Sequence, residues 1–236
     1  GIDLLFVALP SGHSMSIIKE AIEANIKVID IGGDFRLKNV EEYNQYYKYE
    51  HTATSLLNES VYGLSECNED AIKNAKIIAN PGCYPISVLL ALLPLLKEGL
   101  LENDLISIVS YSGTTGAGKS AVANMIFSEV NESVRAYKVG NHQHIPEIKL
   151  YLEQFSGASI KFSFVPHLLP VTRGIYSTIH ASVKSNVAEK NIQDNTPLES
   201  GPCSSCHLAP GGKNVFLSAK FLKDQNPDPS SGICFI

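Results

Sequence analysis

The sequence has no excess of positive charge. Lys and Arg number 19 against 24 Asp and Glu, a formal net charge of −5 at neutral pH. That excludes the basic footprint a nucleic-acid-binding surface normally carries. It also lacks an apolar run long enough to cross a bilayer. The longest, Ile86–Leu96, is too short, and Pro94 interrupts it. Neither a nucleic acid nor a membrane is expected as a partner. The chain opens on Gly1, and no basic segment precedes the apolar stretch Ile2–Leu9, so that stretch does not have the layout of a signal peptide. It is expected to be a buried strand entered in mid-protein, with the natural N-terminus upstream. Cysteine is scarce: five residues, scattered and odd in number. With no secretory signal, this points to thiols in a reducing compartment, the cytoplasm.

What is present is an ordinary globular composition, 44% hydrophobic and 18% charged over 236 residues. That length suits one large domain or two small ones. Ile2–Leu9 is apolar throughout and ends at Pro10-Ser11-Gly12, as a strand buried on both faces would. Ser14–Asn25 places Met15, Ile18, Ala21 and Ile22 at helical spacing, and Lys27–Ile31 is a second β-branched run closed by Gly32-Gly33. Strand, helix and strand at this spacing predict a βαβ unit and a parallel sheet. Residues 38–60 are polar and Tyr-rich and are expected to be a surface excursion. Lys76–Ala79 gives a third strand, followed by a helix over Ile86–Lys97. Beyond Gly99, Leu105–Tyr111 reads as a strand, Ala121–Val130 as a helix, and Phe162–Val165 and Tyr176–Val183 as strands of a mixed sheet. The expected divisions are 1–82, 83–192 and 193–236. The last segment shows no hydrophobic period apart from Val215–Leu222 and is expected to be divergent or disordered.

Asn80-Pro-Gly-Cys83-Tyr-Pro85 is the most informative motif. It sets a thiol between an apolar strand and a helix start, where the helix N-terminus favours the thiolate, the nucleophilic form. Gly82 allows a sharp turn, and Pro85 suits a first helical turn. The competing account is a structural Cys beside a turn. His142-Gln-His144, with Glu147 following, supplies the acid/base partner a thiol nucleophile needs. The two imidazoles project to one side if the segment is extended, and Glu147 could orient one of them. Two solvated loop histidines are the bland alternative. Zinc is the rival chemistry, but no matching Cys/His pair stands at useful spacing, and no metal is expected. Arg36 and Arg173 each lie between apolar residues near a Gly and are suited to a carboxylate or phosphate. A structural ion pair would account for either equally well.

Two further motifs compete. Gly113-Thr-Thr-Gly-Ala-Gly-Lys119-Ser120 matches the nucleotide phosphate loop letter for letter, after a predicted strand and before a predicted helix. No apolar strand ending in a magnesium-holding Asp follows it, and it comes late for a phosphate loop. Cys203-Ser-Ser-Cys206-His207 matches the c-type haem signature, but its Pro- and Gly-rich flanks and the absence of an export signal leave it a chance match.

Taken in order, FVALPSGHS, VIDIGGDFRL, NPGCYP, SGTTGAGKS, YKVGNHQHIPEI and VPHLLPVTRGIYST resemble the N-acetyl-gamma-glutamyl-phosphate reductases over about residues 2 to 190. The resemblance implies a partial Rossmann-type cofactor domain followed by an α/β domain with a mixed, semialdehyde-dehydrogenase-like sheet, which in that family also forms the subunit contact. It implies Cys83 as the nucleophile that forms a thioester and NADPH as the hydride donor. It further implies a histidine acid/base drawn from His142 and His144, the latter preferred, and substrate contacts at Arg36, Arg173 and Glu147. Cofactor contact is implied at Pro10, Ser11 and Gly12 and at Ser112, Gly113 and Gly116. The substrate would be a small acyl phosphate, and a homo-oligomer, dimer or tetramer, would form in a complete protein. The resemblance sets aside the phosphate-loop reading.

Two departures accompany it. No G-x-x-G-x-x-G turn precedes Ile2, and residues 193–236 show neither the nicotinamide segment nor the long Gly/Ala-rich helix of that family. The chain is accordingly expected to have little or no reductase activity as written, and its tail to be unrelated sequence from a truncated or frame-shifted gene.

Overall fold

The computed structural model describes residues 1–118, 123, 126–195, 203–208 and 214–221. It divides into two compact units, Gly1–Ile86 and Ser87–Ile236.

The first unit is built on four parallel strands. They are β1 (Leu4–Val7), β2 (Lys27–Asp30), β3 (Ser60–Tyr62) and β4 (Ile77–Ala79), in the order β1-β2-β4-β3. Helix α1 (Met15–Glu23) makes the β1-to-β2 crossover, burying Met15, Ile18 and Ala21 at the spacing seen in the sequence. Period-two alternation of burial is lost in β4, whose three residues are all buried, as expected of a strand covered on both faces. β1 is an edge strand, with Leu4 40% and Phe6 60% exposed.

The segment 38–60 is not a polar surface excursion. It forms helix α2 (Val40–Tyr47), capped by Asn39, whose side chain accepts from the Glu42 amide at 2.9 Å. A 3-10 turn follows over Thr54–Leu56. Tyr43, Ala53 and Leu57 enter the core beside Phe35 and Leu37. Tyrosine can be buried when its hydroxyl finds an acceptor, and Tyr43 donates to Asp34 Oδ1 at 2.7 Å. Helix α3 (Ser65–Asn74) then returns the chain to β4.

Helix α4 (Cys83–Lys97) starts four residues after β4 ends, three residues earlier than its apolar pattern predicts. The second unit then builds a six-stranded mixed sheet. Its strands are β5 (Ile106–Ser112), β6 (Arg135–Ala136), β7 (Phe162–Leu168), β8 (Ile175–Ser182), β9 (Cys203–Leu208) and β10 (Asn214–Phe221), in the order β6-β7-β5-β8-β10-β9. β5 runs parallel to β7 and antiparallel to β8. Of the helix expected over Ala121–Val130, the described part is the single turn α5 (Phe127–Val130). Helix α6 (His144–Ser156) crosses from β6 to β7, and α7 (Glu189–Asp194) follows β8. One face of the sheet is apolar, with Ile106, Ile108, Phe164, Ile179, Val215 and Leu217 buried.

Of the tail from residue 193, expected to be divergent or disordered, two segments are ordered strands. β10 pairs with β8 along its whole length, and β9 pairs with β10. The reason is a short period-two pattern: Val215 and Leu217 are buried while Phe216 between them is 43% exposed. The Cys203–His207 motif lies within β9. No described helix is long and apolar enough to cross a membrane.

Candidate functional site

In the first unit the β4–α4 loop carries the thiol. The Gly82 carbonyl accepts the first helical bond, from the Ile86 amide at 3.1 Å, so Cys83 is the first residue inside α4 and Pro85 lies in its first turn. Cys83 is exposed. Asn80, at the loop's start, is held at both backbone ends. Its amide donates to the Asp30 carbonyl at 2.8 Å, and its carbonyl accepts from Arg36 Nε at 2.7 Å. Arg36 Nη2 also donates to the Ile31 carbonyl at 3.0 Å. The guanidinium is buried, and these bonds join the end of β2 to the loop that carries the thiol.

The Pro10–Gly12 turn stands at the carboxyl end of β1, where open parallel sheets receive nucleotides. Its amide chemistry is already committed. Gly12 N donates to Asp34 Oδ1 at 2.8 Å, and the His13 amide closes the turn onto the Pro10 carbonyl at 3.2 Å. Gly12 has φ +87°, and a Cβ there would stand 2.6 Å from the Tyr49 ring. The close approach this glycine permits is therefore taken by Tyr49. The position of the turn fits a nucleotide, but the Gly12 N–H is not a phosphate donor; Pro10 and Ser11 are what the turn presents.

Asp34 was not singled out by its sequence context. It accepts from Gly12 N, from Ser14 N at 3.1 Å, from Ser14 Oγ at 2.7 Å and from the Tyr43 hydroxyl. His51 Nε2 lies 2.9 Å from its backbone carbonyl. Asp30, also buried, is pushed up to about 6 by desolvation, against the Gly32 amide that opposes the shift.

In the second unit His142 and His144 lie 4.8 Å apart between ring centroids. The segment is not extended, so the alternation of an extended chain is not what brings the rings together. A turn places His142 ahead of α6, where its Nδ1 accepts from the His144 amide at 3.1 Å. An Nδ1 that accepts leaves the ring proton on Nε2, so His142 is neutral. Burial, with Lys138 adding to it, pushes its pKa down to about 3. Tyr137 and Phe164 meet the His142 ring edge to face. Glu147 is buried in the first turn of α6, three residues on from His144 and on the same helical face.

The Gly-rich segment does not form a phosphate cradle. The Gly113, Thr114 and Thr115 amides donate to the carbonyls of Gly174, Val171 and Thr172 at 2.9, 2.9 and 3.1 Å. The Gly116 and Gly118 amides turn back onto Gly113 and Thr115. The described part, Thr114–Ala117, is a 3-10 turn; Lys119 and Ser120 lie outside the described residues. Ser112 is buried and donates to the Gly113 carbonyl. What the segment offers a ligand is the exposed run Thr115–Gly118. These bonds also bring exposed Arg173 against the loop: its backbone N lies 2.8 Å from where a Gly113 Cβ would be.

Residues 1–75 match the model of the semialdehyde dehydrogenase NAD binding domain, and residues 83–196 match that of the semialdehyde dehydrogenase dimerisation domain. The chain belongs to the semialdehyde dehydrogenase family. Among its relatives, the N-acetyl-gamma-glutamyl-phosphate reductase of Pelotomaculum thermopropionicum is 48% identical over 192 residues, 81% of this chain and 55% of the relative. That of Thiobacillus denitrificans is 43% identical over 209 residues, 86% of this chain and 61% of the relative. The chain thus spans little more than half the length of these relatives. The fold is shared with aspartate semialdehyde dehydrogenase II from Vibrio cholerae, at a TM-score of 0.68 and 15% identity over 92% of this chain and 73% of that one. It is shared too with the NADP-containing aspartate semialdehyde dehydrogenase of Candida albicans, at 0.60 and 11% over 92% and 72%. This semialdehyde dehydrogenase chain therefore has an NAD-binding unit with a parallel sheet and a dimerisation unit with a mixed one.

Proposed function

We propose that the protein to which this chain belongs reduces N-acetyl-gamma-glutamyl phosphate to N-acetylglutamate 5-semialdehyde with NADPH, a step of arginine biosynthesis in the cytoplasm, and works as a homo-oligomer, a dimer or tetramer. The observation that carries this reading is Cys83, an exposed thiol at the first residue of α4 on a loop held at both backbone ends of Asn80. Identity to reductases of this name supports the choice of substrate.

In this reading the Cys83 sulfur attacks the γ-carbonyl, the carbonyl-to-phosphate C–O bond breaks, and inorganic phosphate leaves a thioester. NADPH supplies the hydride that converts the thioester to a thiohemiacetal. His144 gives a proton to the oxyanion as it forms and takes it back as the C–S bond breaks and the aldehyde departs. His142, neutral and bonded to the His144 amide, positions α6's first turn. Glu147 orients His144. The guanidinium groups of Arg173 and Arg36 suit the phosphate and the substrate carboxylate. Pro10, Ser11 and the exposed edge around Gly116 meet the cofactor.

The test is to incubate the purified protein with N-acetyl-gamma-glutamyl phosphate and map acyl adducts by peptide mass spectrometry while measuring phosphate release. An adduct on Cys83, lost together with phosphate release in Cys83→Ser, is expected. Undiminished phosphate release by Cys83→Ser would overturn the assignment.

A further inference from the structure

Helix α4 is apolar along nearly its whole length. From Ile86 to Leu96 its only polar side chain is Ser87, one turn beyond Cys83 and on the same helical face. Ser87 is fully buried. Its Oγ lies 2.9 Å from Ser177 Oγ on β8, which lies 2.6 Å from Ser110 Oγ on β5. All three residues are inaccessible to solvent, and Ser110 and Ser177 face each other in the β5–β8 ladder. A chain of three hydroxyls, linked through Ser177, thus runs from the helix into the centre of the mixed sheet.

Leucine and valine contacts set how tightly a helix packs but tolerate small rotations and slides, since dispersion has little directional preference. A hydroxyl pair in an apolar interior is directional, and leaving it unmade exposes an unsatisfied polar group. Pro94 lacks the amide that would bond to the Leu90 carbonyl, so the helical ladder is interrupted there and the N-terminal half of α4 needs its own anchor. Ser87 is placed to be that anchor.

We infer that Ser87, Ser110 and Ser177 are positioning residues, a buried hydroxyl chain that fixes the rotation and height of the first turn of α4 and so sets the helix amides against the Cys83 sulfur. This rests on the reading of Cys83 as a reactive thiolate. Its experiment is the pH profile of iodoacetamide labelling at Cys83, followed by peptide mass spectrometry, which needs neither substrate nor cofactor. In Ser87→Ala and Ser177→Ala the labelling midpoint is expected to move up by about half a pH unit, the size of a helix-terminus contribution. Ser177→Thr, which keeps an Oγ, is expected to restore it. Val215→Ala is the control: it opens a cavity in the same sheet, at a buried residue that stands across from Ala181 on β8 and not from Ser177. A midpoint that moves as much in Val215→Ala as in the serine variants, or that stays put in both alanine variants, overturns the inference. If Ser177→Ala does not fold, Ser87→Ala against Val215→Ala decides alone. Failure of the thiolate reading shows itself differently, as a parent protein in which Cys83 labels no faster than Cys67.

Discussion

Asp34 Oδ1 accepts the Gly12 amide at 2.8 Å, so a carboxylate after β2 holds the turn after β1 in shape. Its other oxygen takes the Ser14 amide and hydroxyl, and the Tyr43 hydroxyl shares Oδ1. Four donors converge on one side chain that can only accept. Asp34→Asn would turn an NH2 group toward some of them. The expected loss is on the order of 3 kcal/mol, the cost of unmaking hydrogen bonds to a buried charge. Urea unfolding followed in the first unit measures it. Hydrogen exchange at Gly12 and Ser14 should quicken, and Tyr43→Phe should cost less because it removes one donor only.

Asp30 gives the first unit a pH dependence of definite sign. Its folded value, raised to about 6 from 3.8, means the folded chain keeps a proton the unfolded chain has lost between those limits. The stabilisation is complete below about pH 4 and disappears as pH rises through 6, a change on the order of 3 kcal/mol. Asp30→Asn keeps an oxygen for the Gly32 amide and removes the titration. The stability of the parent minus that of Asp30→Asn should therefore decline from pH 4 to pH 7; a flat difference would mean that Asp30 titrates alike in both states.

His142 acts in the opposite direction in the second unit. Its value is depressed from 6.5 to about 3, so the unfolded chain binds a proton there that the folded chain does not. Its contribution is intact above pH 6.5 and is lost progressively as pH falls toward 3, on the order of 5 kcal/mol in all. His142→Asn keeps an acceptor for the His144 amide and should blunt the acid sensitivity of this unit. Separate probes in the two units would resolve the opposing slopes between pH 4 and 6.

The parallel sheet, the mixed sheet and the thiol at the strand–helix junction were legible because each rests on a local pattern: β-branched runs, helical spacing, and Asn-Pro-Gly before a Cys. α2 was not, because its buried Tyr43 reads as polar until the acceptor, Asp34, is known, and that acceptor is nine residues away. Arg36 was recognised as unusual between apolar neighbours, but its bond to the Asn80 carbonyl spans 44 residues and no local rule foresees it. The three serines are individually unremarkable in sequence; only the fold makes them one chain. The two histidine rings do lie close together, but a turn and not an extended segment brings them there.

Gly113 decides between two chemistries that its sequence leaves open. In a phosphate loop the glycine amides must point to an open cradle and receive phosphate oxygens. Here the amides of Gly113, Thr114 and Thr115 are spent on the 171–174 segment. The two backbones approach so closely that a Cβ on Gly113 would lie 2.8 Å from Arg173 N and 2.9 Å from Thr172 C. These are backbone atoms, which cannot swing aside as a side-chain tip would. Gly113→Ala is therefore expected to part the segments, break the pairing that holds Arg173 against the loop and cost about 2 kcal/mol, as overpacking at a rigid site does. Thermal unfolding reads the loss, and faster exchange at the Thr114 and Thr115 amides locates it. Calorimetry with Mg-ATP on the parent protein should show no specific heat of binding. A micromolar ATP site abolished by Lys119→Ala would require those amides to leave their present partners. It would make nucleotide phosphate, not an acyl phosphate, the ligand of this loop.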